Sequence, residues 1–114
     1  MATLKSTPVS LPKPSVPKDS STLSLKQLEE IAGLFKMLGE PMRLRILQAV
    51  CKEPRSVNEI VELADSTQAN VSKHLALLTS GGILQRERAG QRVFYSVKAP
   101  LALKMCELVR ANWC

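Results

Sequence analysis

The chain has 114 residues, with sixteen Lys and Arg against ten Asp and Glu, for a formal net charge of +6 at pH 7. That length suits one domain, and the basic excess favours a polyanionic partner. No stretch approaches the roughly 20 apolar residues that a membrane-spanning helix needs, and no apolar run of signal-peptide length opens the chain. A cytoplasmic protein without membrane association is therefore expected, and its three cysteines read as free thiols or ligands in a reducing compartment, not as a disulfide framework.

Residues 1–20 hold four prolines, several Ser and Thr, and Lys5, Lys13 and Lys18. This composition reads as a disordered tail, which leaves 21–114 as the folded domain. Ser24 and Gln27 have capping-box spacing, and Leu23 and Leu28 staple spacing. The helix that they start runs to about Leu38 and ends near Gly39. Its apolar positions Leu25, Leu28, Ile31, Ala32, Leu34, Phe35 and Leu38 cover more than one face, which predicts burial on two sides.

Glu40-Pro41 opens a second helix, with proline at a tolerated first position. Leu44, Ile46, Leu47 and Val50 form its core side, Arg43 and Arg45 are candidates for phosphate contact or ion pairs, and Cys51 sits at its end before Pro54. Ser56 and Glu59 make another capping box, and Ile60, Leu63 and Ala64 recur at helical spacing. Asp65-Ser66 interrupts the run and Thr67 is an N-cap for the next helix. There Val71, Leu75 and Leu78 fall in one arc, while Ala69, Asn70, Ser72, Lys73 and Ala76 lie opposite. A short-chained, hydrogen-bonding, basic face is what a helix in a major groove requires; the plain alternative is a solvated surface.

Gly81-Gly82 ends that helix. Residues 83–88 alternate as a strand does, Ala89-Gly90-Gln91 is a turn, and residues 92–97 return as a β-branched and aromatic strand. A last helix starts at Ala99-Pro100 and runs to about Trp113, with Leu101, Met105, Leu108 and Val109 on one stripe and Ala102, Cys106 and Trp113 on a neighbouring one. Charge is uneven along this order. From Ser66 to Lys98 five cations face only Glu87, whereas from Ser21 to Ala64 six Lys and Arg meet six Glu.

A helix pair followed by a basic hairpin is a winged helix-turn-helix, in the order of four helices, two strands and a helix: a mainly α fold with a small β-hairpin. The segments Leu34 to Leu47, Val71-Ser72-Lys73-His74-Leu75, Gly82-Ile83-Leu84 and Arg92-Val93-Phe94-Tyr95 together resemble the ArsR/SmtB family of bacterial winged-helix repressors. The resemblance runs in order from about Gln27 to the C-terminus. It implies a homodimer joined through the first and last helices, an inverted-repeat operator in double-stranded DNA as partner, and release by a metal or thiol-reactive effector. The residues expected at the DNA are Thr67, Gln68, Ala69, Asn70, Ser72, Lys73 and His74 on the reading helix, and Arg86, Arg88, Gln91 and Arg92 on the wing. His74 has a second reading as a packing residue.

The only histidine is His74, so imidazole cannot build a tetrahedral metal site, and 56–64 lacks the Cys-x-Cys of one family metal site. The sulfide- and redox-responsive subgroup, resembling the biofilm-growth repressor, pairs a second-helix cysteine with one ending the last helix. Cys114 has the matching distance from the wing, but the matching second-helix position is Gln48, with Cys51 three residues on. Three readings of Cys51, Cys106 and Cys114 stay open: a bridge between Cys51 and Cys106 or Cys114 formed by persulfide or oxidant, a trigonal thiolate site for a soft ion, or small buried hydrophobes and a frayed end. No cofactor is expected, and no nucleophile–base pair, paired carboxylates or phosphate-cradling loop suggests an enzyme. The competing class is a winged helix that binds only proteins.

Overall fold

The computed structural model describes residues 22–113. The tail assigned to 1–20 and Cys114 lie outside the described residues. In chain order the elements are α1 (Leu25–Leu38), α2 (Pro41–Val50), β1 (Arg55–Ser56), α3 (Val57–Ala64), α4 (Gln68–Ser80), β2 (Leu84–Ala89), β3 (Arg92–Val97) and α5 (Pro100–Trp113).

Helices α1 to α4 each begin where a side chain satisfies an otherwise unpaired amide of the first turn. Ser24 and Gln27 close a full capping box on α1, and Ser56 and Glu59 do so on α3. The Glu40 carboxylate accepts from the Arg43 amide at the start of α2, and the Thr67 hydroxyl accepts from the Asn70 amide at the start of α4. Between α3 and α4 the chain reverses through Asp65 at φ 51°, a left-handed conformation that Asp tolerates better than most residues. The hairpin turn uses Gly90 at φ 65°, where a side chain would be strained.

The sheet has three antiparallel strands in the order β1-β3-β2, one more than the sequence suggests. Arg55 and Ser56 pair with Tyr95 and Phe94. Two residues carry no alternation to read, so β1 is visible only once β3 lies beside it. Ser56 thus ends a strand and caps a helix at one position, and it is buried.

The core gathers Ile46, Leu47 and Val50 of α2, Ile60 and Ala64 of α3, Val71, Leu75 and Leu78 of α4, with Leu38, Ile83, Leu84 and Ala102. The inner arc of α4 is therefore the one expected. One expectation needs correction, the place of Leu44 on the core side of α2, and Leu63 of α3 shares its outcome. Leu44 and Leu63 belong to the apolar sets of their helices but stand about half exposed, because those helices turn them past the edge of this small core. The apolar faces of α1 and α5 are left uncovered within one chain, as a seam between two copies requires: Leu38 and Ala102 are their only fully buried residues. Leu25, Leu28 and Phe35 on α1, and Leu101, Leu108, Val109 and Trp113 on α5, are exposed.

Ile60 has no accessible surface and sits where α2, α3 and α4 meet. Ile60→Ala should lower stability by about 2–5 kcal/mol, read as a lower urea midpoint with an unchanged slope; a loss under about 1 kcal/mol would show that the cavity collapses freely.

Candidate nucleic-acid interface and thiol pair

Helix α4 separates its residues by direction. Val71, Leu75 and Leu78 are buried, while Gln68, Ala69, Ser72, Lys73 and Ala76 are exposed. The exposed set has no side chain bulky enough to hold backbone away from a partner surface except Gln68 and Lys73, which supply an amide and a charge. Thr67 is committed to its capping bond. Asn70 is half buried, and its Nδ2 donates to the Ser66 hydroxyl at 3.0 Å, which orients the amide and leaves Oδ1 and a second N–H for another partner.

His74 is the exception among the residues expected at DNA. It is buried at 9% exposure, on the inner side of α4, and so is removed from the outward face. Its Nδ1 accepts from Arg43 Nε at 3.3 Å, and its Nε2 lies 3.8 Å from the Glu40 carboxylate. Arg43 also donates to the Met37 carbonyl at 3.1 Å. Both arms of Arg43 therefore serve the junction of α1, α2 and α4. Partial burial pushes the Glu40 carboxyl up, but the amides of Met42 and Arg43 and the charges of His74 and Arg43 outweigh it, and the net direction is down. Arg45 likewise donates to the Ala64 carbonyl at the end of α3, at 3.2 Å.

The wing is exposed at Arg86, Arg88, Gln91 and Arg92. Its register pairs Arg86 with Tyr95, Arg88 with Val93 and Ala89 with Arg92. Directly opposed residues share a face and neighbours along a strand alternate, so Arg86 and Arg88 lie on one face and Arg92 on the other. The Arg92 guanidinium stands 5.4 Å from the Phe94 ring centroid, a cation–π distance. The hairpin thus carries charge on both faces, a distribution that sequence alternation contains but that needs the register to read.

Away from this surface, Cys51 at the end of α2 and Cys106 in α5 line one groove. Burial pushes the Cys106 thiol up to about 11, with further upward pressure from the adjacent Cys51. Arg110 donates to Cys51 Sγ at 3.3 Å. Arg110 was not singled out by sequence reading. Its spacing of four from Cys106 places both on one helical face, but the arrival of α2 beside that face is tertiary information. Cys114 lies outside the described residues, so the three-cysteine arrangement has no described geometry. Among the described residues no three His, Cys, Asp or Glu side chains are grouped to hold a metal ion, and no helix is long and apolar enough to cross a membrane.

A helix-turn-helix domain family matches residues 38–87. The probable mercury resistance operon repressor of Streptomyces lividans is 35% identical over 79 residues, covering 69% of this chain and 63% of that protein. The transcriptional repressor PagR of Bacillus anthracis is 35% identical over 74 residues, covering 64% of this chain and 74% of PagR. Among solved structures, reduced HlyU from Vibrio cholerae superposes with a TM-score of 0.74 at 28% identity, covering 78% of this chain and 94% of that one. The homodimeric winged helix-turn-helix DNA-binding domain of Mb0332 from Mycobacterium bovis, described as a possible ArsR-family regulator, gives 0.68 at 25% identity, covering 82% and 89%.

The raised Cys106 pKa has a sign that alkylation can test. A thiol at about 11 is almost wholly protonated at pH 8, and only the thiolate reacts. Cys106 should therefore react with iodoacetamide roughly a hundredfold more slowly than an unperturbed cysteine, accelerating as pH rises toward 11. Peptide mapping that shows Cys106 alkylated at the ordinary rate at pH 8 would contradict the burial argument.

Proposed function

This chain belongs to the ArsR/SmtB family of winged-helix transcriptional repressors, which are DNA-binding regulators and not enzymes, and on that premise we propose that it binds an inverted-repeat operator as a homodimer and releases it when a thiol-directed signal joins Cys51 to Cys106. The observation that carries the DNA reading is the division of α4. Val71, Leu75 and Leu78 are consumed by the core, and outward on the first turns stand Gln68, Ala69, Ser72, Lys73 and Ala76, short, polar and basic, with Leu77 exposed only toward the helix end. Such a surface approaches base edges closely, while Arg86, Arg88 and Arg92 on the hairpin reach phosphates beside it.

The homodimer is supported by the exposed apolar residues of α1 and α5. Leu25, Leu28, Phe35, Leu101 and Leu108 are exposed, apolar side chains of the kind that mark an interaction surface, and a twofold partner presents the same residues in return. Two α4 helices then meet successive major grooves, which matches a palindromic site.

The thiol signal is supported by the neighbourhood of Cys51 and Cys106. Joining them as a disulfide releases two protons and passes two electrons to the oxidant, a peroxide or a persulfide. The new bond would tie the end of α2 to α5 and shift helices at the dimer seam, changing the spacing of the two reading helices. The name of the mercury resistance relative favours a second reading, in which the same thiolates take a soft ion.

Three outcomes test the proposal. Asn70→Ala should cost about 1–3 kcal/mol of discrimination between the operator and a mismatched site, whereas Arg92→Ala should weaken all duplexes alike and flatten the salt dependence; equal loss of preference in both would mean the contacts are misassigned, and binding indifferent to salt would indicate a protein-interaction module. Peroxide or persulfide treatment should lower operator affinity together with a Cys51–Cys106 cross-link in mass spectrometry. Release without any cross-link would overturn the bridge, and release by Hg(II) or As(III) alone would favour the soft-ion reading.

A further inference from the structure

Beside the thiols lies an arrangement that operator binding does not use. Arg45, Lys52, Arg55 and Arg110 line one cleft of about 310 Å³ bounded by α2, the start of β1, α3 and α5, and no carboxylate lines it. Of the four, Arg45, Lys52 and Arg110 make no ion pair among the described residues. The guanidinium groups are only partly committed. The side chain of Arg45 makes its one described hydrogen bond to the Ala64 carbonyl and that of Arg110 to Cys51 Sγ. Arg55 pairs with Glu53 and Glu59, yet its Nε is buried with no hydrogen-bond partner. Arg45 and Arg110 keep N–H donors to spare for an acceptor in the cleft.

The cleft continues into an apolar groove of about 460 Å³ that shares Arg45, Gln48 and Arg110 with it. Leu44, Leu47, Met105, Val109 and Trp113 line that half. Volumes of this order, apolar over most of the wall with a few convergent polar groups, are those of small-molecule sites. Val109 and Trp113 share the helical face of buried Ala102 but are themselves exposed, because the core ends before reaching them.

We propose that this cleft binds a small organic anion: a carboxylate, phosphate or sulfonate seated among Arg45, Lys52 and Arg110, with an apolar body laid along the groove toward Trp113. Charge at one end and apolar wall at the other select an amphipathic anion over either a simple ion or a neutral hydrocarbon. The site stands independently of the operator reading, since it is built on the far side of α2 from His74 and α4's exposed face and is tested without DNA. It also has a route to the rest of the fold. An anion that draws Arg45 away from the Ala64 carbonyl would loosen the end of α3, where the chain turns into the reading helix.

The reporter is built in, because Trp113 is the only tryptophan and lines the groove. The full chain, reduced, is titrated with decanoate, decyl phosphate, decanol and inorganic phosphate while Trp113 emission is followed. Decanoate or decyl phosphate should give a saturable shift at concentrations roughly tenfold or more below those at which decanol or inorganic phosphate acts, and the preference between the two decyl anions distinguishes carboxylate from phosphate. Arg45→Gln with Arg110→Gln should bring the anion's affinity down to that of decanol. Lys52→Gln, at an exposed position that leaves the fold undisturbed, should weaken it severalfold, which keeps the test decisive if the double variant misfolds. Decanol binding as well as decanoate, inorganic phosphate binding as well as either, or no saturable shift would overturn the site. So would displacement of decanoate by any duplex regardless of sequence, which assigns the cations to DNA phosphates, or loss of the signal on self-association, which assigns the groove to a second copy.

Discussion

What α4 can present to a partner depends on how its inner arc is held. Val71, Leu75 and Leu78 pack among Ile46, Leu47, Ile60, Ile83 and Leu84 with essentially no exposure, and burial of such side chains stabilises by about 1.5–3 kcal/mol each. Rotation of the helix by a quarter turn would expose part of that set and bury Ser72 or Lys73, whose desolvation opposes it. The outward face of α4 is thus a consequence of its inward face. His74 belongs to the same constraint. Held by Arg43 and close to Glu40, it ties α4 to the junction of α1 and α2.

The small core leaves the other side of the molecule unfinished. Helices α1 and α5 each contribute one fully buried residue, and the rest of their apolar surface faces outward. In a chain of this size the interior cannot satisfy every apolar residue, and a second copy covers what one chain leaves exposed. The same shortage of core leaves the cleft between α2 and α5, where Cys51, Cys106, Arg45 and Arg110 are neighbours. A thiol signal and an anionic ligand would therefore act on one seam, the one that sets α2 and α5 relative to each other.

Much of this was legible because the determinants are local. Capping residues at Ser24, Ser56 and Thr67, the proline at 41, the break at Asp65, and the glycines at 81–82 and 90 mark helix and turn boundaries by short-range hydrogen bonding and backbone sterics, and the boundaries in the structure follow them. The inner arc of α4 follows from a 3.6-residue period. The family resemblance extended this to the wing and the order of elements. Arg86, Arg88 and Arg92 were legible as basic hairpin residues; which faces they occupy depends on the pairing with β3.

Sequence alone therefore determined where each helix starts and stops and which residues of α4 point away from the core, since periodicity and capping act within a few residues of chain. Only the tertiary structure decided that Leu44 and Leu63 stand at the surface, that His74 turns inward onto Arg43, that Arg55 and Ser56 join the sheet, and that Cys51 lies beside Cys106 and Arg110. Each of those facts is a meeting of groups distant in sequence, set by how helices pack, and no local pattern encodes which surfaces will touch.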